Sequence, residues 1–326
     1  MRRRGVLGGL GIALFAPTLV RAQRSTLPLV GVVSLLPEAA LKDQLAAFRQ
    51  GLEETGHVGG RTVTIEYRWA DGVTDLLPQL AADVARRQPA VIVAAGGNIA
   101  ALAVKRATST IPIVFTAVRD PVADGLVASL NRPGGNITGV AILAGELDAK
   151  RLQLLDEIAP SEGPISALIN RNNPSAMAQG KALEAAARAV GRTIRLLVVG
   201  TVGEINETFA ALGQQRERRL VVASDPWFTS HRSQIVELAA RHLVPCIFQW
   251  RQFAEAGGLA SYGPDFSEAY RQAGILTGRV LRGEAPANLP VLQPTKFEFV
   301  INLTTARAFG LTVPPAVLAR ADVVIE

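Results

Sequence analysis

Short unbroken apolar runs alternate along the chain with longer stretches whose apolar residues recur every three or four positions. Residues 29–35, 90–95, 111–115, 220–223 and 244–248 are runs of the first kind. Without polar alternation, they predict parallel strands covered on both faces. Leu41, Leu45, Phe48 and Leu52 are spaced four, three and four apart and share one face of a predicted helix. Ile205, Phe209 and Leu212, and Phe266, Tyr270, Ala273 and Val280, mark two more such faces. Residues 62–68 alternate strictly, with Val63, Ile65 and Tyr67 against Thr64, Glu66 and Arg68, which predicts a strand with one wetter face near a sheet edge. Further strands are expected at 137–142, 165–170, 193–199 and 296–302, and further helices at 75–88, 121–131, 145–159, 175–190, 228–242 and 304–309. Such alternation defines an α/β protein with parallel sheets.

One unit occurs twice. Val91-Ile92-Val93-Ala94-Ala95, a helix and Ile111-Pro112-Ile113-Val114-Phe115 are echoed by Leu220-Val221-Val222-Ala223-Ser224, a helix and Val244-Pro245-Cys246-Ile247-Phe248. Both second strands carry Pro second and Phe fifth. The repeat predicts two Rossmann-like, doubly wound lobes. Crossings expected near 137–142 and 258–262 assign residues 27–138 and about 262–295 to lobe 1. Residues 139–260 and about 296–326 then form lobe 2.

The 326 residues suffice for two lobes, and with 48% hydrophobic and 19% charged residues the chain can bury large cores. Arg2-Arg3-Arg4, an apolar segment over 5–20 and small residues at Val20 and Ala22 read as a signal peptide cleaved after Ala22. That processing reduces 34 basic residues to 30 against 28 acidic, so the net charge falls from +6 to +2. The basic balance then gives no reason to expect a nucleic-acid partner. A periplasmic location follows. Cys246, the single cysteine, is expected as a core thiol.

No catalytic constellation emerges. His57, His231 and His242 lack metal-ligand spacing, and no nucleophile elbow or Walker motif occurs. Neither a metal nor a cofactor is expected, and the chain reads as a binding protein rather than an enzyme. Its candidate ligand residues lie in loops after strands, where open α/β sheets bind ligands. They are Ser34, Gly96, Gly97, Asn98, Thr116, Ala117, Asn170, Asn173, Asp225, Trp227, Gln249 and Tyr262. The Gly96-Gly97-Asn98 turn, with Asn98 as N-cap of the next helix, and the Thr116 hydroxyl suit a carboxylate. Asp225 suits an ammonium group or caps its own helix. Trp69, Trp227, Trp250 and Tyr262 offer an aromatic wall or core packing.

The stretches LAADVARRQPAVIVAAGG (80–97), TSTIPIVFTAVRDPVADGLVASLNRPGGNITGV (108–140), AARHLVPCIFQWRQFAEAGGLASYGPDFSEAYRQAG (239–274) and LPVLQPTKFEFVINLTTARAFGLTVPP (289–315) resemble the ABC-transporter substrate-binding protein family of the tryptophan/tyrosine type. The resemblance extends over nearly the whole chain. It implies a type I periplasmic-binding fold whose lobes, joined by three crossovers, close on a small ligand such as an amino acid. It also implies a membrane permease and an ATPase as partners, with the membrane reached only through the permease. A monomer is expected. Relatives often carry Thr or Ser after the Gly-rich turn, where this chain has Asn98. The alternatives are a periplasmic sensor subunit with the same cleft, and a secreted enzyme on the same fold.

Overall fold

The computed structural model describes residues 27–142, 145–215 and 218–326. The leader expected over residues 1–22 lies outside the described residues. Two sheets organise the chain. The first contains β1 (Leu29–Ser34), β2 (Thr64–Trp69), β3 (Val91–Ala95), β4 (Ile113–Val118) and β5 (Ile137–Ala141), in the order β2-β1-β3-β4-β5. All four pairings are parallel. The alternating segment forms the edge strand β2, as its wetter face predicts.

The second sheet contains β6 (Ile165–Asn170), β7 (Ile194–Val199), β8 (Leu220–Val222), β9 (Cys246–Phe248), β10 (Ala260–Pro264), β11 (Phe297–Asn302) and β12 (Val323–Ile325). Its order is β12-β11-β10-β9-β8-β6-β7. Strands β6 to β10 repeat the 2-1-3-4-5 order of the first sheet, and β11 adds antiparallel to β10. The two echoed units, β3–β4 and β8–β9, are therefore equivalent parallel pairs, one per lobe. Cys246 is buried, and its thiol donates to the Val244 carbonyl. Burial pushes that thiol's pKa well up, as for an inert core cysteine.

The chain crosses between lobes three times. All of β5 pairs in the first sheet, so the first crossing follows Ile142 rather than residue 138. All of β10 pairs in the second sheet, so the return follows Pro264 rather than residue 261. The third crossing runs from Leu292, which bridges to Val140, into β11. Between the last two crossings, helix Phe266–Leu281 packs on helix Lys42–Glu53 of the first lobe. Glycines allow their backbones to touch. A Cβ at Gly51 would collide with the Arg271 carbonyl, and one at Gly274 with the Phe48 carbonyl.

Three local expectations change. Residues 121–131 form turns, in which Asp120 accepts from the Val122 and Ala123 N–H groups, instead of a helix. The helix expected over 228–242 is two, Pro226–Ser230 and Arg232–Arg241. Asn98 is not an N-cap. Gly96 takes that place with φ 94°, and the helix runs Gly97–Ala107. Two successive left-handed glycines turn the chain faster than a capping asparagine would, leaving the Asn98 side chain inside the first turn.

Candidate functional site

The loops after β3 and β4 of one lobe and after β8 and β9 of the other enclose a narrow cleft, part of it open to solvent. From the first lobe come Leu36, Gly96, Gly97, Asn98, Ala117 and Arg119; from the second, Ser224, Asp225, Pro226, Thr229 and Trp250. Phe266, just past the second crossing, completes the lining, and its ring stacks on Trp250 with centroids 4.2 Å apart.

The first-lobe wall is positive. The N–H groups of Gly97 and Asn98 open a helix and have no acceptor within it, so they favour an anion. Thr116 lies beneath this turn and accepts from the Gly96 N–H at 3.4 Å. Ala117 adopts a left-handed φ of 50°, a strained conformation for a residue with a side chain. Arg119 gives one guanidinium nitrogen to Asp148 of the second lobe, while its Nη1 is buried without a partner. Asp148 also pairs with the fully buried Arg151, whose Nη1 donates to the Tyr262 carbonyl at 3.2 Å. Burial by itself would raise the Asp148 carboxyl, but the two guanidinium groups outweigh it and hold the pKa below the ordinary range.

The second-lobe wall is negative and centred on Asp225. Its Oδ1 accepts from the Trp227 and Phe228 N–H groups, capping helix Pro226–Ser230, and from Asn170 Nδ2 at 3.1 Å. Its Oδ2 accepts from Asn173 Nδ2 at 2.7 Å. Burial pushes the Asp225 carboxyl above its usual pKa, against these four donors. Asp225 is thus a helix cap as well as a cleft residue, and one lone pair of Oδ2 remains for a further donor.

Hydrogen bonds tie the lobes together across the cleft. Asn98 Nδ2 donates to Asn173 Oδ1 at 2.9 Å and to Ser175 Oγ at 2.8 Å. Ser175 Oγ donates in turn to Asp124 of the first lobe. Gly97 comes so near Pro226 that a Cβ there would lie 2.8 Å from its ring. Gly97 also has φ 81°, so both its conformation and the close approach require glycine.

The predicted residues fall into three groups. Gly96, Gly97, Asn98, Ala117 and Asp225 line the cleft. Gln249 lines an adjoining recess. Thr116, Asn170 and Asn173 brace the lining residues. Ser34 is turned inward: its hydroxyl donates to the Leu36 carbonyl and accepts from the Leu36 N–H. Trp227 packs on Phe228 and His231, and Tyr262 stacks on Phe297, so neither forms the cleft wall. Trp69 stacks on Tyr67. Of the four candidate aromatics, Trp250 alone lines the cleft.

Arg119, Thr229, Phe266 and the Asp124–Ser175 pair had no individual signal in the sequence. Arg119 stands in a strand-end loop, yet its partner Asp148 comes from the other lobe. Among the described residues, no group of three or more His, Cys, Asp or Glu is placed to hold a metal ion. No helix among them is long and apolar enough to cross a membrane.

Comparison with known proteins places this cleft in context. The family model described as "ABC transporter substrate binding protein" matches residues 29–325. A tyrosine-binding protein of Clostridioides difficile is 27% identical over 282 residues, covering 86% of this chain and 81% of that protein. An ABC domain from Streptococcus pneumonia, solved in complex with L-Trp, is 25% identical and superposes with a TM-score of 0.84, covering 92% of this chain and 100% of that one. A ligand-free, open substrate binding protein with adhesive properties from Clostridium difficile is 26% identical, with coverages of 92% and 99%, and its TM-score is 0.67. With its cross-cleft hydrogen bonds, the present structure is the closed arrangement.

Proposed function

Because the chain belongs to the ABC transporter substrate binding protein family, we propose that it captures a free aromatic L-amino acid in the periplasm and presents it to a membrane permease driven by an ATPase. The opposed polarity of the two cleft walls carries this reading. The N–H groups at Gly97 and Asn98, with the free Nη1 of Arg119, suit an α-carboxylate. The remaining lone pair of Asp225 Oδ2 suits the α-ammonium group. The stacked Trp250 and Phe266 rings offer an apolar surface for an aromatic side chain. The tyrosine-binding and L-Trp-bound relatives support the ligand class.

Both charged ends of the ligand are needed in this scheme. In a thermal-shift assay of residues 23–326, free L-tyrosine or L-tryptophan raises the melting temperature, because a ligand bound only by the folded state stabilises it. N-acetyl and C-amide derivatives leave it unchanged. Equal shifts from free and blocked forms would exclude the two-pole site.

A further inference from the structure

We propose that Gln249 reads the polar group at the far end of the ligand's aromatic side chain, so that the site selects a phenol or an indole over a plain phenyl ring. The inference rests on the aromatic amino-acid reading above. Behind the cleft, a narrow recess adjoins it and shares Ser224, Asp225, Thr229 and Trp250 with the cleft lining. Phe228, Phe248 and Phe253 wall it, the last two stacked with centroids 4.5 Å apart.

Gln249 lies on the same recess. It is 3% exposed, and both its Oε1 and its Nε2 are buried without a partner. Buried amides almost always find partners, so an amide left with a free donor and a free acceptor beside a recess marks a place for a ligand group. Its position is fixed from behind. At Gly263, on neighbouring β10, a Cβ would collide with the Gln249 carbonyl and lie 3.2 Å from Gln249 Cγ. The recess has no charged side chain except Asp225 at the part it shares with the cleft, so an uncharged polar group suits it.

An indole N–H can donate to Oε1. A phenol can donate to Oε1 and accept from Nε2. A phenyl ring can do neither and keeps both amide atoms unpaired. A site with buried polar groups discriminates strongly against a ligand that leaves them unpaired.

The test is calorimetric titration of residues 23–326 with L-tyrosine, L-tryptophan and L-phenylalanine, repeated on Gln249→Met, which keeps the side-chain length and removes both polar atoms. The wild-type protein is expected to bind tyrosine or tryptophan about ten- to a hundredfold more tightly than phenylalanine. In Gln249→Met the preference shrinks to less than about threefold, and the ligand-free melting temperature does not fall, because no native hydrogen bond is lost. A wild-type protein that binds all three equally overturns this inference and leaves the amino-acid reading standing. So does a preference unchanged in the variant, or a marked fall in the ligand-free melting temperature. A wild-type protein that binds none of the three overturns both.

Discussion

The side-chain amide of Asn98 donates to both Asn173 and Ser175, so one residue of the first lobe holds two of the second. These bonds exist only while the lobes are together. Replacing Asn98 by Ala should therefore cost about 1–2 kcal/mol of closure, weakening ligand binding roughly 5- to 30-fold. The denaturation midpoint of the ligand-free protein should scarcely move. Calorimetry and urea titration separate the two effects, and an unchanged dissociation constant would remove Asn98 from the latch.

Asp124 adds a pH dependence. In the closed structure, burial raises its pKa; the Ser175 hydroxyl and Arg119 lower it, and nearby Asp120 raises it further. Opening the cleft returns the carboxyl toward its ordinary value, so closure takes up a proton. Asp124's contribution to affinity is then greatest below the ordinary value of 3.8 and declines as pH rises through the raised closed-state value. The Asp124→Asn variant should show a flatter affinity profile than the wild-type protein as pH rises from the ordinary carboxylate value of 3.8; parallel profiles would refute the linkage.

Residue types were legible at this scale, but their partners were not. The run Ser224-Asp225-Pro226 shows a polar strand end and a helix start. It cannot show that Asn170 and Asn173 supply donors from 55 and 52 positions away. Trp227 and Trp250 look alike in the sequence. The first lies on the buried side of a short helix and the second in the loop after β9, and only the second reaches the cleft.

Among the elements, helix Gly145–Ile158 follows the first crossing and carries the buried Asp148 and Arg151. Its ion-pair cluster reaches back to Arg119 at the end of β4. Removing the central carboxylate leaves the Arg151 guanidinium buried and unpaired. Asp148→Ala should cost about 3–5 kcal/mol in chemical denaturation, and a loss below about 1 kcal/mol would show that the cluster relaxes or admits water.

Strand existence was legible because the buried runs have no alternation and lie between Gly- and Pro-rich turns. Capping was less so. Asn98 has a good capping side chain, but two left-handed glycines before it take over the turn. Strand membership also shifted the lobe boundaries. The apolar pattern of 137–142 marks a strand but cannot say which sheet it joins, because that depends on the pairing of Ile137 with Ile113 and of Ala141 with Val118.

At the scale of the molecule, the repeat of Val91–Phe115 in Leu220–Phe248 was enough to predict two lobes of one design, and both sheets share the 2-1-3-4-5 order. The antiparallel β11 and the small β12 break that symmetry and carry no comparable repeat in the sequence. Lobe closure had no sequence signal of its own, since it depends on contacts such as Gly97 against Pro226 between segments far apart in the chain. The closed arrangement, the opposed charge of the cleft walls and the aromatic surface between them together make one clamp. In the proposed capture, ligand contacts to both lobes would favour the closed form over the open one, and that difference in affinity would drive the motion. Small-angle scattering of residues 23–326, with and without saturating L-tyrosine or L-tryptophan, tests this most directly. A smaller radius of gyration in the presence of the amino acid is the predicted result; an unchanged radius at saturation would contradict capture by closure.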